Sequence, residues 1–188
     1  MILVVYAHPY PAHSRACAAL LEGIRDMANL EVRALYDLYP DFDIDGEAER
    51  GALARAKLIV WMHPFYWYSV PALLKHWFDQ VLIKGWAHAE GGRALAGKDC
   101  LWVTTTGGDE DAFTPAGRHG HPFEAFEPPI RRTAQYCGMN WLPPLAVRGS
   151  HQVSAEELRE AGSRLRVRLD EWVLRQARDA AGQQGGVD

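Results

Sequence analysis

Two kinds of apolar pattern alternate along the chain, and together they outline its architecture. Ile2-Leu3-Val4-Val5-Tyr6, Leu58-Ile59-Val60-Trp61-Met62 and Cys100-Leu101-Trp102-Val103-Thr104-Thr105-Thr106 are short runs without polar alternation. Such runs predict strands covered on both faces of a parallel sheet. Leu30 to Leu35 alternates apolar and charged residues, as a strand nearer the sheet's edge does. Trp141 to Val147 reads as a fifth strand, held to an edge by Pro143 and Pro144. Between the strands the spacing becomes helical. Ser14 can cap a helix with Ala16, Ala19, Leu20, Gly23, Ile24 and Met27 on one face. Glu47 to Ala56 reads as a short helix. Pro71 to Leu82 carries Leu73, Leu74, Trp77, Phe78, Val81 and Leu82 at helical spacing, with Ser69 available to cap it. A further helix from about Phe126 to Cys137 stops at Gly138, and the capping box Ser154-Ala155-Glu156-Glu157 opens the last one. The segments 39–46, 85–92 and 107–124 lack periodicity and are expected to be loops, the last long enough to suggest a binding segment.

Five strands alternating with helices predict an α/β fold: a flavodoxin-like, doubly wound, five-stranded parallel sheet of order 2-1-3-4-5 with helices on both faces. Ligands of such sheets sit beyond the carboxyl ends of the strands, where the order reverses between strands one and three. The loops His8 to Cys17, Pro64 to Ser69 and Thr105 to Gly108 are therefore expected to converge. One domain over 1–178 and a frayed, disordered tail over 179–188 are expected.

Composition narrows the function. The 188 residues are 48% hydrophobic and 23% charged, enough for one full core. A net charge of −4 and the absence of a basic run argue against nucleic-acid binding. Cys17, Cys100 and Cys137 are odd in number and lack metal-ligand spacing, so neither a disulfide framework nor a metal site is expected. With no targeting segment evident and no apolar stretch near the roughly 20 residues a bilayer crossing needs, a cytoplasmic protein is expected, peripheral to a membrane only through a partner.

The candidate chemistry lies in the converging loops. Phe65-Tyr66-Trp67-Tyr68 has no period that a strand or helix could bury on one face. These rings line a cavity for a flat ligand, or they plug the rim of the sheet; sequence alone does not choose. The first loop has neither G-x-G-x-x-G nor a phosphate-loop motif. Even so, the N–H groups opening the helix after Ser14, spanning Arg15, Ala16 and Cys17, form a potential anion site, with Arg15 or His8 as countercharge. Taken alone, Ser14 is an ordinary cap and His8 a solvated loop residue. Together with the aromatic loop and the donors of Thr105-Thr106-Gly107-Gly108, they match what a flavin mononucleotide requires: a phosphate grip, a stacking wall and donors to the ring's pyrimidine end.

Further motifs carry a resemblance. Tyr6-Ala7-His8-Pro9 with Ser14, Tyr39-Pro40-Asp41-Phe42, His63-Pro64 through Trp67-Tyr68-Ser69, Gly85-Trp86-Ala87, Thr105-Thr106-Gly107-Gly108 and Gly138-Met139-Asn140-Trp141-Leu142-Pro143-Pro144 span Met1 to about Leu174. In these the chain resembles the flavodoxin-like NAD(P)H:quinone oxidoreductases, and within them the ancillary flavoproteins of glutathione-gated potassium efflux. The resemblance implies bound FMN held by His8, Ser14 to Cys17, Phe65 to Tyr68 and Thr105 to Gly108. It implies NADH or NADPH as co-substrate and a quinone or related electrophile as acceptor, in a two-electron ping-pong reaction. It also implies a homodimer and, as partner, the cytosolic domain of a potassium efflux antiporter. The wider family uses a tyrosine and a histidine beyond the Thr-Thr-Gly-Gly turn. Here Phe113 occupies the tyrosine's place and His119, or alternatively His121, the histidine's; His119 and Tyr68 are the candidate catalytic side chains.

Overall fold

The computed structural model describes residues 1–184 of the chain. Five parallel strands, β1 (Ile2–Tyr6), β2 (Leu30–Ala34), β3 (Leu58–Pro64), β4 (Asp99–Thr105) and β5 (Asn140–Val147), form one sheet. Their order is β2-β1-β3-β4-β5, the flavodoxin-like topology expected. Alternate residues of the central strands divide between two cores, as the two-residue period of a strand requires. Ile2, Val4, Leu58, Val60, Met62, Leu101 and Val103 face α1 (Arg15–Ile24) and α6 (Ala155–Gln184). Leu3, Val5, Ile59, Trp61, Cys100 and Trp102 face α3 (Gly46–Arg55), α4 (Ala72–Val81) and α5 (Pro128–Tyr136).

Several boundaries differ from the sequence reading for local reasons. A one-turn helix, α2 (Leu35–Leu38), follows β2 directly and buries Leu35. The fifth helix starts at Pro128 rather than Phe126, because Phe123–Phe126 winds as a tighter turn before the two prolines set the first helical turn. Ser69 does not cap α4, whose cap position is Pro71 without a side-chain hydrogen bond. α6 runs on to Gln184, so 179–184 is helical; residues 185–188 of the expected tail lie outside the described residues. No helix among the described residues is long and apolar enough to cross a membrane.

The β2 side is fastened by a polar knot that the sequence pattern did not disclose. Glu49 on α3 is fully buried. Its carboxylate accepts hydrogen bonds from Arg33 Nε (2.9 Å), the Tyr39 hydroxyl (2.6 Å) and Trp77 Nε1 (2.9 Å). Burial and the neighbouring carboxylate raise the Tyr39 hydroxyl to about 12, so it stays a proton donor. A carboxylate removed from water is tolerable only when its lone pairs are satisfied in this way.

On the opposite face α1 and α6 cross at two glycines. A Cβ on Gly23 would lie 2.6 Å from the Gly162 carbonyl, and one on Gly162 would lie 2.5 Å from the Ala19 oxygen. Both obstacles are backbone, so the helices themselves would have to separate. Gly162→Ala is therefore expected to cost about 1–3 kcal/mol despite its better helix propensity. Thermal unfolding checks this, with a drop of roughly 2–4 °C for each kcal/mol in a chain of this size.

Candidate functional site

The carboxyl ends of β1, β3, β4 and β5 open onto one edge, and the loops there are bonded to one another. Phe65 N–H donates to the Thr105 carbonyl (2.8 Å), joining the aromatic loop to the turn after β4. That turn is clamped from its other side, where Ser150 N–H donates to Thr106 O and Gly149 N–H to Gly108 O, each at 2.8 Å. Two cavities meet along this edge. The first, of about 350 Å³, is lined by His8, Ser14, Arg15, Ala16, Phe65, Tyr66, Thr105, Gly107 and His151, among others. The second, of about 360 Å³, is lined by Phe65, Trp67, Tyr68, Thr106, Gly107, Gly108, Phe113, Arg118, His119 and His151. Both fall within the usual size of small-molecule pockets.

The first cavity ends at the start of α1. Ser14 Oγ accepts from Cys17 N–H at 3.2 Å, and Ala18 N–H bonds Ser14 O. The N–H groups of Arg15 and Ala16 have no intrahelical partner and point out of the helix end, where the dipole adds partial positive charge. Cys17 itself gives the cavity nothing. Its N–H is used by Ser14, its buried thiol lies 3.6 Å from Thr105 Oγ1, and burial raises its pKa, so it is a packing residue. His8 is not a countercharge. It is buried, burial lowers its pKa, and its Nδ1 accepts the Tyr10 N–H at 3.0 Å, so the neutral ring presents Nε2–H instead. Arg15 is the fixed cation on this wall.

The four aromatics do not act as one wall. Tyr66 lines the first cavity, Trp67 and Tyr68 the second, and Phe65 stands between them and lines both. Tyr66 and Ser69 exchange both backbone hydrogen bonds, leaving Trp67 (φ 49°) and Tyr68 (φ 61°) as the two central residues of a turn with positive φ. That is the hairpin turn normally occupied by Asn-Gly. Bulky residues there cost of order 1–3 kcal/mol each, strain typical of ligand clamps. Trp67 is 92% exposed, so burial of its ring does not offset the cost.

Tyr68 closes the second cavity on one side, its ring stacked on Phe126 and its hydroxyl 3.3 Å from His119 Nδ1. His119 also stacks on Phe113 at 4.3 Å, and its Nε2 is buried without a hydrogen-bond partner. A Cβ on Gly108 would lie 2.8 Å from that nitrogen. His121 is exposed, touches Phe126 edge-on and lines neither cavity. Thr106, grouped with Thr105 in the sequence reading, faces the second cavity, its hydroxyl donating to Gly108 O at 2.6 Å. Ser150, His151 and Arg118 were missed. The first two follow β5, a strand end not counted among the converging loops, and Arg118 sits in a long loop without periodicity.

Beneath the aromatic loop His63 is fully buried. It donates from Nδ1 to Pro64 O (2.9 Å) and accepts the Trp102 indole N–H at Nε2 (2.9 Å). Burial lowers its pKa to about 4, so the ring stays neutral and fixes the end of β3.

A phosphate-sized donor set, a cavity with rings on one side, and glycines at positions a side chain would fill suit a flat, phosphorylated ligand. Among the described residues no cluster of His, Cys, Asp and Glu could hold a metal ion.

Comparison with known proteins establishes the family. The chain belongs to the family described as having a flavodoxin-like fold, which matches residues 1–169. It is 49% identical over 172 residues to the glutathione-regulated potassium-efflux system ancillary protein KefF of Citrobacter koseri, covering 92% of this chain and 97% of that protein. General stress protein 14 of Treponema denticola, solved in complex with FMN, superposes with a TM-score of 0.85 at 29% identity, covering 90% of this chain and 98% of that one. An NADPH-quinone reductase from P. pentosaceus gives 0.80 at 27% identity, covering 88% and 95%. The resemblance noted in the sequence therefore stands, and the chain is a flavodoxin-like flavoprotein of the KefF type.

Two outcomes follow from the site's geometry. Replacing Trp67-Tyr68 by Asn-Gly is expected to raise the unfolding free energy by about 1–3 kcal/mol while weakening any ligand that stacks in the second cavity; denaturant unfolding beside a binding titration checks both. For His63, whose folded-state pKa lies below its unfolded value, the unfolded chain binds the extra proton. Stability is full above about pH 6.5 and falls as pH drops to about 4, by about 3 kcal/mol in total. A His63→Gln variant should flatten that part of the pH–stability curve.

Proposed function

We propose that the chain binds FMN at this edge and catalyses two-electron, ping-pong transfer from NADH or NADPH to a quinone or related electrophile. The observation that carries the reading is the buried, unpartnered Nε2 of His119 at the same edge as the free N–H groups of Arg15 and Ala16. Bound there, FMN would supply a hydride acceptor toward the nucleotide and a hydride donor toward the acceptor substrate. In this reading the start of α1, Ser14 and Arg15 hold the phosphate, and His8 donates from Nε2. Phe65 and Tyr66 flank the ring system, and the backbone from Thr105 to Gly108 offers donors to its pyrimidine edge. Preoriented donors in a site sheltered from water stabilise developing negative charge better than water does, because they need no reorganisation. His119 then holds or delivers a proton at Nε2, with Tyr68 setting the ring through Nδ1. Phe113 supports the same imidazole by stacking but cannot donate a proton, so no tyrosine–histidine relay is invoked.

The T. denticola complex supports FMN, and the P. pentosaceus enzyme supports NADPH and quinone. The test is spectroscopic. Protein reconstituted with FMN should be yellow, bleach anaerobically on adding NADH or NADPH, and recover its colour with a quinone. Failure of both nucleotides to reduce bound flavin refutes the reaction. His119→Asn should lower kcat about 10²-fold or more while leaving the FMN dissociation constant within severalfold.

A regulatory role beside catalysis is favoured by the 49% identity to the ancillary protein, which spans nearly the whole chain. In that role one domain over 1–178, paired as a homodimer in the cytoplasm, docks on the cytosolic part of a potassium efflux antiporter. Pull-down against that antiporter domain tests it, and absence of binding counts against it.

A further inference from the structure

The second cavity has a charge that the whole chain does not. The protein carries a net −4, yet the cavity's lining contains Arg118, His119 and His151 and no carboxylate. Three acids of the neighbouring loop are engaged elsewhere. Arg148 pairs with Glu124 at 2.9 Å and Glu110 at 3.7 Å, and Asp109 accepts the Ala112 N–H at 3.0 Å. Arg118 is exposed, lines the cavity and forms no ion pair among the described residues. Aromatic rings, Phe65, Trp67, Tyr68 and Phe113, form the remaining side walls. The buried Nε2 of His119 still needs a partner, which marks the cavity as one built to receive a polar atom.

We propose that the second cavity takes a planar aromatic substrate bearing an anionic substituent, and that Arg118 is the residue that selects for the charge. The inference rests on the redox reading above, of which it names the substrate class. The aromatic walls hold the ring by stacking, His119 Nε2 bonds a ring oxygen, and Arg118 meets the anionic group at the mouth. Because Arg118 is exposed, its attraction is modest and screened by salt, so it adjusts affinity without altering the reacting groups.

The test compares a neutral naphthoquinone with its sulfonated analogue as acceptors, and naphthalene-2-sulfonate with 2-naphthol as redox-inert ligands titrated into the FMN-reconstituted protein by calorimetry. The sulfonated partner of each pair is expected to show a KM or dissociation constant up to about fivefold lower at low ionic strength. That advantage should disappear in Arg118→Gln and shrink at 0.5 M salt, with kcat for the neutral quinone and the FMN dissociation constant unchanged. Equal binding of the charged and neutral ligands by the native protein overturns the proposal, as does a preference that survives in Arg118→Gln. If no nucleotide reduces the flavin but the calorimetric preference is present and depends on Arg118, the redox reading fails and the charge selection stands.

Discussion

The site exists because β1 pairs in parallel with β3 while the chain leaves the two strands in opposite directions. From β1 it turns into α1 on one face of the sheet, and from β3 it turns through the aromatic loop into α4 on the other. A gap opens between the two loops at that point, and no side chain of the scaffold has to be spent to create it. Into the gap project the start of a helix, whose first N–H groups cannot be satisfied internally, and a hairpin turn whose occupants would be more stable elsewhere. Both features are costs borne by the apo chain that a ligand of the right shape offsets. The β3–β4 pairing, carried as far as Pro64 and Thr105, holds the third wall in register with the first two.

Below the edge, rigidity has been bought with buried polar groups rather than avoided by excluding them. His63 spends both ring nitrogens on neighbours, and Glu49 gathers donors from β2, the segment after α2, and α4. Each is isolated from water and fully bonded, so each fixes a strand end or a helix in one orientation. His119 is the contrast: similarly enclosed at Nε2, but with that nitrogen left open. Trp61 Nε1 and His88 Nδ1 are also buried without a partner, but of these three atoms only His119 Nε2 belongs to a residue that lines the edge where the strands end.

Sequence pattern disclosed the sheet almost entirely, since strands buried on both faces leave unbroken apolar runs and the strand count with its helices limits the topology to few choices. It located Ser14, Phe65, Tyr66 and Thr105 at the edge because a strand's end and a cap residue are local signals. It could not assign Trp67 and Tyr68 to a different cavity from Tyr66, because that depends on two positive φ angles invisible in composition. It offered His8 as an alternative to Arg15 for countercharge, whereas burial lowers the pKa of that ring. It passed over His151, whose loop is tied by backbone bonds from Gly149 and Ser150 to the Thr106–Gly108 turn, and Arg118, whose aperiodic loop is held by its own bonds such as His119 N–H to Ala112 O. The Glu49 knot was equally hidden: an acid in an Ala-rich helix reads as solvated until Arg33, Tyr39 and Trp77 are seen to surround it.

That knot has a bearing on how the chain matures during synthesis. Glu49 and its partners Arg33 and Tyr39 emerge well before Trp77, so a growing polypeptide that has already paired β1 with β2 still lacks one of the groups that make the buried carboxylate tolerable. Until α4 brings Trp77 in, water has to serve the carboxylate oxygen that the indole later takes over, so the knot is completed only once the chain has been made as far as that helix.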